Sequence, residues 1–300
     1  MRPESDTETP GQNDAPSSPE APEAPAAAAT LAEADLAALR HAKVQLESPP
    51  LGMKLAAIVG APIERMIAKL PAAASDKVNE ATQAALRKCL QLALKTLAKS
   101  GNGLGDDTPA AKPSNLLHKF AVATTGAAGG AFGFFALPVE LPVTTTLMFR
   151  SICDIARSEG EDLATPDARL QCLTVFGMGG RSPTDDEADF GYFIVRGALA
   201  QAVSKASSEM ATKGLAAHGS AALLRLMQTI ASRFSVQVSE QVAAKSIPAL
   251  GAVLGAMVNT VFIDHFQHVA HGHFTVRRLE RRYGEAAVQA AYDALDVPLD

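Results

Sequence analysis

Four histidines crowd one short stretch: His265, His268, His271 and His273, directly after Asp264. Neutral imidazoles with a carboxylate are a competent ligand set for zinc or another divalent metal such as non-haem iron. On a helix Asp264, His268 and His271 recur at i, i+4 and i+7, which places them on one face. A metal held there, with Glu140 as base, would serve a hydrolase. Against this stand three features. There is no His-Glu-x-x-His, no facing pair of cysteines, and Gly272 falls where a helix would end near His271. The competing reading is a polar or interfacial helix end, because one helix rarely supplies a whole coordination geometry. No cofactor is expected on that reading, which is the one adopted; zinc or another divalent metal is the alternative.

Other charged groups are spaced for interaction. Arg150, Asp154 and Arg157 follow at steps of four and three. They form either an anion-binding face or an intrahelical ion-pair ladder worth tenths of a kcal/mol, about 0.2–0.5 per pair, when exposed. Glu140 stands alone between two apolar stretches, Lys245 opens a second apolar run, and Asn259 lies inside it. Buried, each needs a partner or a shifted pKa. We expect these three to pair with one another or with Arg150, forming with Arg150 and Asp154 one internal polar network. Arg277, Arg278, Arg281 and Arg282 follow the second run, as the basic end of a membrane-surface anchor would. The alternative is a solvated helix face partnered by Glu280 and Glu285.

No activated nucleophile is visible. A Gly-x-Ser-x-Gly elbow is missing. Cys89, Cys153 and Cys172 are odd in number and lie in apolar helical contexts. They imply packing rather than a disulfide framework, and a reducing cytoplasm.

The elements that position these residues read as helices throughout. Leu31–Glu47 is Ala/Leu-rich and ends at Pro49-Pro50. Leu51–Leu70 is helical but broken at Pro62. Asp76–Ser100 is amphipathic through Val78, Thr82, Leu86, Leu90, Ala93 and Leu97. Gly101–Gly105 resembles a phosphate loop only in composition, with no Gly-Lys-Ser/Thr after it. Phe120–Val139 is charge-free and rich in Gly and Ala. Its length of about 30 Å would span a bilayer, though its apolarity is weak. Leu137–Pro142 reads as a break, with a helix from Val143 to Ser158. Thr165-Pro166 opens the next helix, which stops at Gly177–Gly180. Thr184 and Glu187 have capping-box spacing for a helix reaching Ala211. Ser220–Lys245 is amphipathic, and Ser246–Ile263 is a second charge-free run with Gly251 and Gly255. No stretch alternates with period two, so the fold class is all-α: a bundle around two Gly/Ala-rich apolar helices.

Charge bounds the partners. Residues 1–30 hold six of the 18 prolines and the chain's whole net charge of −5, so residues 31–300 balance. A neutral body without Trp argues against nucleic acid, which needs a basic field and stacking rings. The first thirty residues are expected to be a disordered acidic tail rather than a secretory signal, and 31–300 a single helical domain.

Several segments together resemble a known family. They are Leu137-Pro138-Val139-Glu140-Leu141-Pro142, Arg150–Ala156, Gly160-Glu161-Asp162-Leu163, Arg169, Lys245–Ala252, Gly255 and Asn259. The arrangement resembles the EcsC family of bacterial proteins over roughly Leu51–Tyr283. One departure is Leu137, where family members often carry Asp; the acidic group here falls at Glu140. The resemblance implies a helical accessory protein associated with membranes, named for a gene beside an ABC-type transporter. The expected function is therefore non-enzymatic and cytoplasmic, at the inner face of the membrane. Its partners would be a lipid surface or a transporter, with self-association open. The alternatives are the metal-dependent hydrolase and a soluble helical binding module.

Overall fold

The structure is a computed structural model and describes residues 31–100, 137–179, 192–213, 220–246 and 251–297. Every regular element among these is a helix, so the protein is all-α. In chain order they are α1 (Glu33–Leu46), α2 (Leu51–Val59), α3 (Ile63–Ile67), α4 (Ala72–Ser100) and α5 (Leu137–Ser158). They continue with α6 (Pro166–Met178), α7 (Tyr192–Lys213), α8 (Ala221–Lys245), α9 (Gly251–Tyr283) and α10 (Glu285–Ala294). The expected acidic tail, the Gly-rich loop at 101–105 and the capping box at Thr184 lie outside the described residues. So does the first apolar run, apart from Leu137, Pro138 and Val139.

Helix α6 is the axis of the main core. Leu170 through Gly177 are all buried, so this helix has no solvent face. Its start follows the sequence: Thr165 is the N-cap, its hydroxyl accepting from the Ala168 N–H at 3.3 Å, with Pro166 in the first turn. Phe176 packs on Phe234 of α8 and Phe266 of α9, with ring centroids 4.9 and 5.5 Å apart. The α8 stripe is as its period predicts, with Leu223, Leu226, Ile230, Phe234 and Val238 buried. On α4 the buried stripe includes Val78, Thr82, Leu86 and Ala93. A smaller core joins Leu39 and Ala42 of α1 to Tyr192, Leu279, Val288 and Tyr292.

Two breaks read from the sequence are absent. Leu137–Pro142 is not a break: α5 begins at Leu137 and runs through Pro142. Pro138 sits among the first four residues, whose N–H groups have no helical partner in any case, so only Pro142 loses a bond. Nor does Gly272 end α9, which continues eleven residues to Tyr283. A Cβ on Gly272 would stand 2.5 Å from Leu46 Cγ and 3.0 Å from the Ala42 carbonyl oxygen. The glycine is there because α1 crosses at backbone distance, not because the helix stops.

The turn between α5 and α6 is built by the Gly160-Glu161-Asp162 block. Gly160 has φ +81°. Its N–H donates to the Arg157 carbonyl and that of Glu161 to the Ala156 carbonyl, each at 3.0 Å. This is a Schellman stop, which needs the left-handed residue glycine supplies. Asp162 then accepts from the Ala164 N–H at 2.9 Å, preparing the Thr165 cap.

Candidate functional site

Helices α5 and α9 lie side by side and parallel. Glu140 meets Asn259 near their starts, and farther along the Gln267 amide donates to the Ser151 hydroxyl at 2.7 Å. At the start of this pair a polar cluster is enclosed. Lys245, the last residue of α8, forms an ion pair with Glu140, both side chains about nine-tenths covered. The Asn259 amide donates to the same Glu140 oxygen at 3.0 Å, and Gln241 donates to the Asn259 carbonyl oxygen at 2.7 Å. Burial holds the Lys245 ammonium below its ordinary pKa, and Glu140 offsets part of that. The adjoining cavity measures about 10 Å³, the size of one water. It is bounded by Leu137, Leu141 and Thr144 on α5. The cluster can therefore pin three helices together, and it has no room for an organic substrate.

Of the groups expected to form this network, Glu140, Lys245 and Asn259 are brought together. Arg150 and Asp154 are not. Arg150 is exposed farther along α5, and Asp154 pairs with Arg157 at 3.3 Å in an open i, i+3 bridge. Gln241 is the member that sequence reasoning missed. The signal was present, since it lies one turn before Lys245 on the same face.

The histidines disperse. His265 is buried, its Nε2 bonded to the Gly179 carbonyl oxygen beyond α6. Burial, then the nearby Lys54 ammonium, push its pKa down to about 4. His273 is buried against the Tyr192 hydroxyl at 2.9 Å, and burial beside Arg196 and Arg277 depresses it strongly. His268 is exposed, and His271 and Asp264 are half-buried. Asp264, His268 and His271 do share a helix face, but among the described residues no three His, Cys, Asp or Glu side chains gather to hold a metal. Among the described residues no second element adds a His, Cys, Asp or Glu to them. Instead α2 places the Lys54 cation close enough to act on both Asp264 and His265. Glu140 does not join them as a base.

The arginine end also differs from expectation. Arg277 donates to Glu161 at 2.8 and 3.2 Å and to Asp167 at 3.3 Å. Arg281 pairs with Glu161 and donates to the Glu159 carbonyl at 2.7 Å. Arg278 reaches Glu159 at 2.7 Å and Asp35 at 3.4 Å, and Arg282 reaches Asp35 at 2.8 Å. Glu280, the partner expected for this cluster, is taken by Arg196 at 2.6 Å. The four arginines thus clamp α9 to α1 and to the α5–α6 turn, with Arg282 still 63% exposed. Their partners come from more than a hundred residues upstream, which no local pattern reveals. Burial alone would raise the Glu161 pKa; Arg277 and Arg281 outweigh it and hold the carboxyl below its usual range.

Two further titratable sites complete the picture. Glu240, beside Gln241, accepts the Gly52 N–H at the start of α2. Burial and the neighbouring Glu64 raise its pKa to about 7. The thiols of Cys89 and Cys172 are pushed up by burial, away from the thiolate form a nucleophile needs.

A helical scaffold with two polar clamps and no gathered catalytic set among the described residues defines the class: an all-α helical bundle. A family model for the EcsC protein family matches residues 33–279, most of the chain, and the protein belongs to that family. No curated protein and no solved structure matches it.

Proposed function

We propose that the protein is a non-enzymatic accessory factor that docks on a membrane surface through the end where α5 and α9 begin. One observation carries this reading. Each helix opens with an exposed apolar pair one turn apart, Val139 and Val143 on α5 and Val253 and Met257 on α9. Val139 and Val253 are 74% and 75% exposed. The Glu140–Asn259 contact keeps the two helix starts adjacent. Clustered exposed apolar side chains are what an interfacial or protein-docking surface presents. Among the described residues no helix is long and apolar enough to cross a membrane, so docking would be peripheral. The family resemblance adds a transporter at the cytoplasmic face as the protein partner.

The arginines are paired with carboxylates, and the proposed attachment is through the apolar side chains. Natively expressed protein is expected to stay with membranes through a high-salt wash and to float with liposomes. Replacing Val139 and Val253 by Asp abolishes flotation while leaving helical content intact. Quantitative recovery in the soluble fraction, with no liposome binding, refutes the proposal. The metal-hydrolase alternative draws no support from the dispersed histidines.

A further inference from the structure

Helices α4 and α8 leave between them a groove of about 600 Å³. Its floor is aliphatic: Leu86, Leu90 and Leu94 recur every four residues on α4, opposite Leu223, Leu224 and Met227 of α8. Its rim is polar and neutral, with Gln83 and Gln91 on one side and Gln228 and Ser232 on the other. Arg87 is the one charged residue among the described residues that line it.

Shape narrows the occupant. The lining runs from Asn79 to Leu94 along α4, a length of about 22 Å at the helical rise. A groove of that length with leucine rows along it suits one extended hydrocarbon chain. Its volume also lies within the range of small-ligand sites. Charge narrows it further, since a lone guanidinium on an otherwise uncharged rim complements an anionic head.

We propose that the α4–α8 groove binds a single long-chain fatty acid, its alkyl tail along the leucine rows and its carboxylate at Arg87. The groove lies on a different helix pair from the α5–α9 end, so the proposal stands whether or not the protein docks on membranes.

The test uses the full chain and a series of saturated fatty acids from decanoate to hexadecanoate, competing with a dansylated fatty acid below micellar concentrations. Affinity is expected to climb about fourfold for each added methylene. It levels off when the tail fills the groove. Arg87→Gln weakens the carboxylates about tenfold and leaves the matching alcohols unchanged. Leu224→Gln, at an exposed position that folding does not depend on, flattens the chain-length series. Absence of saturable binding overturns the proposal. So does binding that ignores both substitutions, or a result in which Leu90→Arg dissociates an oligomer or unfolds the chain while no fatty acid binds, because the groove is then filled by protein.

Discussion

The two polar clamps on α9 hold it in opposite ways. Near its start a single lysine, a single carboxylate and two amides are closed into a site with room for one water. At its end four arginines share Asp35, Glu159, Glu161 and Asp167 across a surface that is partly open. A buried lone pair has no substitute partner, and each charge depends on the other in low dielectric. The arginine lattice is partly redundant, since Asp35 and Glu161 are each touched by two cations. The first clamp should fail all at once and the second by small steps. The first also sits beside the exposed apolar pairs, so its integrity sets the geometry of the proposed docking end.

The largest effect therefore belongs to Glu140. Glu140→Ala leaves the Lys245 ammonium buried without its counter-charge and is expected to cost about 3–5 kcal/mol in urea denaturation. Replacing the pair together, with Glu140→Leu and Lys245→Met, should recover most of that, because neither charge then remains to be solvated. A cost below about 1 kcal/mol for Glu140→Ala would show a solvated pair and erase the contrast.

Glu161 is the lattice's most covered carboxylate, with its side chain only 5% exposed. Glu161→Gln is expected to cost about 1.5–3 kcal/mol, the scale of hydrogen bonds to charged groups. Arg277 keeps Asp167 and Arg281 keeps the Glu159 carbonyl, which limits the loss. The sign with pH follows from its depressed pKa. Its contribution is present above the ordinary carboxylate pKa and fades as pH falls through the folded value. Thermal unfolding of wild type and Glu161→Gln should converge in strong acid; parallel curves would contradict the assignment.

Much of the architecture was legible because it is local. The Thr165-Pro166 start and the apolar stripes of α4 and α8 are decided by residues within a turn or two of one another. Glu140, Lys245 and Asn259 were legible for a different reason: isolated polar groups in apolar runs must find partners, whatever the fold. What could not be read depends on which element arrives from elsewhere. Gly272 looks like a helix stop until α1 is known to cross it. The arginines look like a basic anchor until Asp35 and Glu161 are brought to them. The histidine spacing is genuine helix geometry, but a metal site needs a second element, and α2 supplies Lys54 instead.

A third comparison separates two buried titratable groups of opposite sign near the first clamp. Glu240 has a folded pKa of about 7 against an ordinary 4.5, so the folded state binds its proton more tightly. Its effect is destabilising as pH rises from about 4.5 to 7. His265, at about 4 against 6.5, resists protonation when folded, so stability is lost as pH falls below 6.5. Each contributes on the order of 1–3 kcal/mol over its window. Glu240→Gln keeps an acceptor for Gly52 and should raise stability at pH 8 while leaving pH 5 unchanged. A uniform shift at both pH values would mean that hydrogen bonding, not charge, is what the substitution alters.

The smallest effect sharpens the contrast most. Arg281 shares Glu161 with Arg277, and its own side chain is 42% exposed. Removing it strips one cation from a carboxylate that keeps two bonds from Arg277. Arg281→Ala should therefore cost only about 0.5–1 kcal/mol, the range of a solvent-screened pair. Added salt should shrink that cost further, whereas the cost of Glu140→Ala should be nearly salt-independent because its site is closed to ions. If Arg281→Ala proved as damaging as Glu161→Gln, the lattice would act as one indivisible unit. The two ends of α9 would then be held by the same kind of clamp.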